Sequence, residues 1–401
     1  MRLLLYTGKG GVGKTTTAAA TAALAAERGL RTLVVSADSA HSLGDVFGRS
    51  LGPERRRLAQ GLDALEIDAR QVIESQWGRV RDYLVDLLRY QGIDEVVADE
   101  LALLPGADEL ATLVCVEQWA ERGEHDLIIV DCAPTGSTLR LVTLPEMAHG
   151  GLQWLLRLQR AAAHVIEPLA RGLVSTPLPS AEVFAEADRL FYDTLDRLRR
   201  RLLSPETSVR IVVTPESMVI DEARRALTDL CLFQLASDAV IMNRMLPEEA
   251  LREPFFRDRG RLQAEAWQEI ESIFAPLARL RAPLQADEVR GIPALVRHGM
   301  DLFGDRDPAL HLGEAPRLRF ERDALGSRIR LPLPEIDAAS LEVTRVEDEL
   351  MIGVGGRRRK IALPVAFARL EIDHVRYRGG QLVVSFVGGG GGAAASIESV
   401  A

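Results

Sequence analysis

A glycine-rich loop near the amino terminus constrains this chain more than any other feature. Residues 8–15 read GKGGVGKT, directly after an apolar run at residues 3–6 and directly before an alanine-rich helical pattern. Glycines let the backbone wrap a polyphosphate, and the N-terminus of the following helix favours negative charge. The strand–loop–helix setting makes a G-x-x-x-x-G-K-T motif credible as a nucleotide-binding loop. The phosphate-binding residues predicted from it are Gly8, Lys9, Gly10, Gly11, Val12, Gly13, Lys14, Thr15 and Thr16.

Three side chains of this loop have predicted chemical roles. Lys14 supplies a mobile cation for the β- and γ-phosphates, and the hydroxyl of Thr15 is a hard oxygen ligand for Mg²⁺. Lys9 is an additional cation inside the loop. It is either a solvated surface lysine or a charge presented across a dimer interface, where it would act as an arginine finger does.

Two further apolar strands are each followed by an acidic residue. Asp38 follows a strand at residues 32–35, and Asp131 follows one at residues 127–130. Carboxyl ends of buried parallel strands are where α/β sheets place ligand-facing groups. We expect Asp131 to hold Mg²⁺ through a water, and Asp38 either to orient or deprotonate the attacking water or to cap a helix. The N–H of Gly136 is expected to contact the γ-phosphate and to move when it leaves.

The motif GKGGVGKTT resembles the deviant Walker A loop of the MinD, ParA, nitrogenase iron protein and ArsA group. The segments DSAHS and DCAPTGSTLR are similar to switch I and switch II of the ArsA/tail-anchored-protein-targeting ATPases. Ser39 stands where that family usually has Pro, and Ser137 where it has His. The resemblance covers about residues 1–300 and implies ATP and Mg²⁺ as cofactors, ATP hydrolysis with Asp38, Lys9 and Lys14 as catalytic residues, and a homodimer gated by nucleotide.

Two later segments extend the resemblance to the base. The strand ending VIMNR is similar to the family's strand whose Asn recognises adenine, which implies that role for Asn243; a turn residue at the strand end is the alternative. The segment that begins at Pro283 resembles the loop that flanks the base.

Composition limits the classes of partner and compartment. The chain has 401 residues, 47% hydrophobic content and a formal net charge of −9. The acidic balance argues against nucleic acid as the main partner. Three cysteines without paired spacing indicate a reducing compartment. The chain shows no signal peptide and no apolar run near ~20 residues, so we expect a cytoplasmic protein without stable membrane insertion.

Short apolar strands alternate with helical patterns over residues 1–313, which predicts an α/β fold with a doubly wound, mainly parallel sheet. The predicted strands lie at residues 2–6, 31–36, 126–131, 209–214 and 238–243. Long helical stretches at about residues 70–122 and 144–203 interrupt the alternation. They form either a core of their own or an apolar groove for a client helix.

Residues 314–387 alternate apolar and polar side chains, which predicts an antiparallel β-sandwich. The closing pattern VRYRGGQL resembles a small heat-shock, or α-crystallin, domain. The basic run at residues 357–360 is expected to be solvated, and the Gly/Ala-rich residues 388–401 to form a flexible tail. An ATPase joined to such a domain resembles the bacterial and plastid branch of the family.

The departures from the family limit the function. Eukaryotic targeting members have a C-x-x-C zinc clamp at the dimer interface, and no cysteine follows Cys231 here, so we expect no zinc clamp. The Met-rich lining that usually grips their clients is also missing. The leading hypothesis is a dimeric ATPase that binds and releases an apolar client segment. The alternatives are an arsenite-pump ATPase subunit, disfavoured by the sparse thiols; a surface-positioning switch, disfavoured by the absence of a terminal amphipathic helix or basic face; and a holdase whose β domain carries the activity.

Overall fold

Two compact units make up the chain in the computed structural model, which describes residues 1–37, 42–90, 107–132, 186, 194–323, 326–334, 336–388 and 397–399. The first unit comprises Met1–Leu5, Thr15–Thr207 and Val289–Arg297. The second comprises Tyr6–Lys14, Ser208–Glu288 and His298–Ala401. The division places most of the glycine-rich loop, which we call the P-loop, in the second unit and Thr15 in the first.

The first unit is built on strands in the order β3-β4-β2-β5-β1. Its strands are β1 (Arg2–Thr7), β2 (Thr32–Ser36), β3 (Arg56–Ala59), β4 (Leu62–Glu66) and β5 (Leu127–Asp131). Its helices are α1 (Lys14–Glu27), α2 (Ser42–Phe47), α3 (Ala69–Tyr90), α4 (Ala107–Arg122) and α5 (Leu195–Leu202). Strand β2 runs parallel to β4 and β5, and β3 is an antiparallel edge. Every residue of β2, β4 and β5 is buried, as expected for a parallel sheet covered on both faces.

The second unit contains three parallel strands and the helices between them. The strands are β6 (Thr207–Val213), β7 (Ser237–Met245) and β8 (Ala278–Pro283). The helices are α6 (Ser217–Leu232), α7 (Glu248–Leu251), α8 (Arg257–Ile273) and α9 (Ile292–Phe303), whose first half belongs to the first unit. The buried face of α8 recurs at Gln263, Ala266, Ile270 and Ile273, which is helical spacing.

Two antiparallel sheets follow in the same unit. Their strands are β9 (Arg319–Asp323), β10 (Gly326–Pro332), β11 (Leu341–Val346), β12 (Glu349–Val354), β13 (Arg357–Ala362), β14 (Leu370–Arg378), β15 (Gln381–Gly388) and β16 (Ile397–Ser399). The orders are β16-β14-β15-β10-β9 and β11-β12-β13. The short strand β16 runs parallel to β14, within the stretch expected to be a tail. The mainly parallel sheet with helices, followed by antiparallel sheets, confirms the predicted fold class.

The basic run at residues 357–360 is not a uniformly solvated face: the expectation is wrong for Arg359, while Arg357 is 47% exposed but still pairs with a buried carboxylate. Arg357 lies 3.0 Å from the buried carboxylate of Asp229 on α6. Arg359 is only 3% exposed and places its guanidinium 5.3 Å from the ring centre of Phe233, just after α6. The hydroxyl of Thr228 donates to the carbonyl of Pro334 at 2.7 Å. Alternate residues of β13 therefore dock the antiparallel sheets onto α6.

Strands β1, β2, β5, β6 and β7 agree with the predicted ones to within two residues at each end. Three strands that the alternation did not reveal, β3, β4 and β8, are present as well. Helices α3 and α4 occupy the described parts of the predicted helical stretch at residues 70–122. Most of the second stretch, at residues 144–203, lies outside the described residues.

Candidate nucleotide-binding site

The P-loop packs tightly at both ends and is open in the middle. A Cβ on Gly8 would lie 2.2 Å from the carbonyl oxygen of Val212 on β6, and one on Gly13 would lie 2.3 Å from the amide nitrogen of Asn243 on β7. Both glycines have positive φ, +151° and +90°. A Cβ on Gly10 or Gly11 would meet nothing within 4 Å. The central face of the loop is thus accessible, as a phosphate cradle requires.

Most of the lysines in the chain lie in this loop. The chain contains only three lysines, Lys9, Lys14 and Lys360, so two of the three lie in the P-loop while arginine supplies the other cations. Lys14 is 6% exposed, and its Nζ donates to the carbonyl oxygen of Lys9 at 3.2 Å. A lysine ammonium is a compact charge on a flexible stem, which suits it to exchange this carbonyl for phosphate oxygens.

The N-terminal end of α1 carries no compensating negative charge. No acidic residue lies in its first turn, where Thr15 and Thr16 follow Lys14. Partial positive charge at the first N–H groups is therefore available to an anion.

Oxygen ligands suited to Mg²⁺ lie in the first unit. Asp131 ends β5 and is fully buried, and its carbonyl oxygen accepts from the N–H of Ala37 at 2.9 Å. The hydroxyl of Thr15 lies 3.2 Å from that of Ser42, the first residue of α2. A hydroxyl and a carboxylate are the hard donors that Mg²⁺ prefers. The donor set that the sequence predicts, Thr15 and Asp131, therefore fits the metal in chemistry.

The segment that follows β2 is switch I by resemblance, and the segment that follows β5 is switch II. Asp38, Ser39, Gly136 and Ser137 lie outside the described residues. Their predicted roles stay predictions.

Asn243 contacts the P-loop itself. Its side chain is 5% exposed; Nδ2 donates to the carbonyl oxygen of Val12 at 2.9 Å, and Oδ1 accepts from the N–H of Arg244 at 2.9 Å. The sequence predicted this residue as a reader of adenine. The contact with Val12 is a use of the amide that the sequence did not reveal, and the role in adenine recognition stays a prediction.

A cavity of about 620 Å³ lies beside the end of β7. The residues that line it are Pro215, Glu216, Ser217, Ile220, Arg244, Leu246, Phe256, Arg259, Leu262, Gln263, Glu265, Ala266, Glu269 and Leu284. Pro283 pairs with Met245 across β7 and β8, directly before Leu284. Asn243 and Pro283 therefore flank the cavity, while their neighbours Arg244 and Leu284 line it.

Gln263 is a residue that the sequence analysis missed. Its Oε1 accepts from the N–H of Leu246 at 2.8 Å, and its Nε2 donates to the carbonyl oxygen of Leu246 at 3.2 Å. This bidentate contact holds the backbone at the edge of the cavity. Gln263 lies on the same face of α8 as Ala266 and Ile270, which face the core. A polar residue at such a position is the sequence signal from which its role could have been predicted.

The thiols are poorly suited to bind a soft metalloid. Burial raises the pKa of Cys115 to about 11 and that of Cys231 to about 12, and Cys132 is buried after β5. Soft metals and metalloids bind the thiolate, which a raised pKa makes scarce. Within the described part of the chain, no group of three or more His, Cys, Asp or Glu side chains could hold a metal ion.

Comparison with known families decides the class. The family model described as anion-transporting ATPase matches residues 1–304. The chain belongs to the ArsA ATPase family. A second model, described as an HSP20-like domain found in ArsA, matches residues 326–386, which contain strands β10–β14 and most of β15. Both matches confirm the resemblance found in the sequence, and family membership makes the chain an ATP hydrolase.

Individual relatives are similar to this chain in sequence over most of their length. The putative arsenical pump-driving ATPase 1 of Aquifex aeolicus is 33% identical over 96% of this chain and 99% of that protein. The putative arsenical pump-driving ATPase of Chlorobaculum tepidum is 33% identical over 92% of both chains. The ATPase ASNA1 homolog of Trypanosoma cruzi is 26% identical over 76% of this chain and 91% of that protein. In the part of the chain that the structure describes, no helix is both long and apolar enough to cross a membrane.

Proposed function

We propose that this chain is a homodimeric, cytoplasmic ATPase that couples hydrolysis of Mg²⁺-ATP to the binding and release of an apolar client segment. The observation that carries the nucleotide part is the P-loop cradle. Its ends are packed against β6 and β7, its centre is open, and a buried Lys14 lies beside it.

The roles follow from the contacts. Phosphate oxygens replace the carbonyl of Lys9 as the acceptor of the Lys14 ammonium, which now donates to that carbonyl at 3.2 Å. Thr15 and, through a water, Asp131 would hold Mg²⁺, which would supply positive charge to the phosphate oxygens. For Asp38 and Gly136, which lie outside the described residues, the sequence supports the roles: Asp38 orients or deprotonates the attacking water, and the N–H of Gly136 contacts the γ-phosphate.

The cavity beside β7 is suited to take the base. Apolar side chains supply stacking surface, and Arg244, Glu216 and Gln263 supply polar edges, which is the usual composition of a small-molecule pocket. Asn243 and Pro283 flank it, as the resemblance implies.

Lys9 is the residue that supports a homodimer. Its position inside the P-loop, in a chain that otherwise uses arginine, favours a role for this amine that a solvated surface cation does not need. We propose that Lys9 reaches the nucleotide of the partner subunit and neutralises charge in the transition state.

Turnover and oligomeric state test these roles together. We expect Lys9→Ala to bind ATP but to lower kcat by at least about 100-fold, because a cation supplied in trans is worth roughly 10³–10⁵ in kcat. Lys360→Ala is the matched control, since it removes the one lysine outside the loop, which lies 60% exposed beside Glu349. Asp38→Asn is expected to stop turnover and to sediment as a dimer with Mg²⁺-ATP. Unchanged turnover in Lys9→Ala, or a monomer in all nucleotide states, would contradict the proposal.

Client binding needs a separate probe. A fluorescent peptide of about 20 leucine and alanine residues, flanked by lysines, represents an apolar segment. We expect Asp38→Asn with ATP to retain this peptide and the wild type to release it after hydrolysis, while a glycine–serine peptide of equal length binds in neither state. Binding that ignores the nucleotide would favour the alternative, a holdase activity of the β domain.

The names of the relatives favour a second candidate, an ATPase that drives an arsenical pump. Stimulation of turnover by arsenite, lost when the cysteines become serines, would support it. The raised pKa values of Cys115 and Cys231 argue that arsenite leaves turnover unchanged.

A further inference from the structure

The side chain of Asn243 joins the end of β7 to the backbone of the P-loop. Its orientation is fixed by chemistry, because the N–H of Arg244 can only donate and the carbonyl of Val12 can only accept. The oxygen of the amide must therefore face Arg244 and the nitrogen must face Val12, at 2.9 Å each.

The same amide fills the space beside Gly13. A Cβ at Gly13 would lie 2.3 Å from Nδ2 of Asn243, closer than two such atoms can approach. The backbone turn that precedes Lys14 thus packs directly against the side chain of Asn243. With 5% of Asn243 exposed, water has little access to replace the hydrogen bond to Val12.

The backbone on the other side of Asn243 is held independently. Arg244 adopts a left-handed conformation with φ of 57°, which a non-glycine residue rarely keeps without support. Two residues later, Leu246 is fixed by both atoms of the Gln263 amide. Two buried amides therefore meet at this strand end: that of Asn243, which is directed to the phosphate loop, and that of Gln263 on α8, which holds the edge of the base cavity.

We infer that Asn243 is a positioning residue for the phosphates, because it holds the Val12–Gly13 backbone in the shape that receives them. This inference rests on the proposed nucleotide site and adds to it. Two of the amide's four hydrogen-bonding positions are already used within the protein, and one N–H and one lone pair remain for a base.

Inorganic tripolyphosphate has phosphates and no base. Its binding therefore distinguishes a role of Asn243 in positioning the phosphates from a role in recognising the base. We expect Asn243→Ala to weaken tripolyphosphate about 10-fold, the size expected for loss of one buried hydrogen bond that shapes a site, and to weaken ATP by at least as much. Isothermal titration calorimetry on the full chain measures both affinities. Asn243→Ser, whose shorter side chain reaches neither partner, is the second variant if alanine fails to fold.

Gln263→Met is the matched control, since it removes a buried amide of α8 that holds the backbone after β7 on the base side. We expect this variant to weaken ATP and to bind tripolyphosphate as the wild type does. The inference is overturned if Asn243→Ala loses affinity for ATP alone, or if Gln263→Met weakens tripolyphosphate equally. Failure of the wild type to bind either ligand would instead refute the proposed function.

Discussion

Replacement of Arg210 by methionine tests how the second unit holds the segment that leads to the antiparallel sheets. Arg210, on β6, is completely buried and pairs with Asp238 on β7 through two contacts of 3.3 Å. Its guanidinium also donates to the carbonyl oxygens of Pro308 at 2.7 Å and Leu310 at 2.9 Å, and to the hydroxyl of Tyr6 at 3.2 Å. The side chain of Arg210 thus holds the segment that contains Pro308 and Leu310 against strands β6 and β7.

The expected cost is large because the partner stays charged and buried. Removing one member of a buried ion pair costs about 3–5 kcal/mol of stability. Asp238 keeps a bond from the N–H of Leu312 at 3.3 Å, but loses the guanidinium. With an m value of about 3 kcal/mol/M in urea, the midpoint of unfolding should fall by roughly 1–1.7 M.

The measurement is urea unfolding followed by circular dichroism. Arg279→Met on neighbouring β8 is the control, because that arginine is exposed and its loss should cost less than about 0.5 kcal/mol. Arg210→Met/Asp238→Leu removes both charges and should regain about 1–3 kcal/mol relative to Arg210→Met. The buried-charge reasoning is refuted if Arg210→Met behaves like the control, or if the double variant is less stable than Arg210→Met.

Three further outcomes are expected. Gly13→Ala should weaken tripolyphosphate more than Asn243→Ala does, because it adds backbone strain at φ of +90° to the clash with the amide; titration calorimetry compares them. Burial raises the pKa of Asp229 to about 6, against the opposing charges of Arg357 and Arg225, so the folded state binds a proton more tightly than the unfolded state. Stability from this group should therefore fall as pH rises from about 4 to 6, and urea unfolding should show that Asp229→Asn removes this fall. In the same assay, Arg357→Gln should extend the fall to higher pH, because it removes a charge that favours the ionised carboxylate in the folded state.

The parts of the fold that the sequence predicted are those with local causes. The P-loop and the strands around it follow from spacing and from short apolar runs. Strand β8 was missed because the strands of residues 1–313 were predicted from short, continuous apolar runs, and exposed Arg279 and Arg281 interrupt the apolar residues of β8. Strand β3 has four residues, two of them exposed arginines, and forms an antiparallel edge.

The contacts that the sequence did not predict are made between residues far apart in the chain. Asn243 meets Val12 across 231 positions of sequence, so no local pattern reveals that its amide holds the P-loop. Arg359 belongs to a run expected to be solvated, yet the fold buries it beside Phe233, and it gives the half-exposed Arg357 a buried partner in Asp229 of α6. In each case the residue type was informative, and the partner came from the fold.

Helix α6 borders two functional parts of the second unit. Its first turns, with Ser217 and Ile220, line the cavity beside β7, and its last turn carries Thr228 and Asp229, which hold the antiparallel sheets. A helix of 16 residues is a rod about 24 Å long, so a displacement at its first turn is carried to its last. Because Asp229 is buried by its neighbours, detaching the sheets would return that carboxylate to water and lower its pKa towards 4. The pKa of Asp229, followed with and without nucleotide, therefore reports whether an occupied cavity alters the docking of the HSP20-like domain.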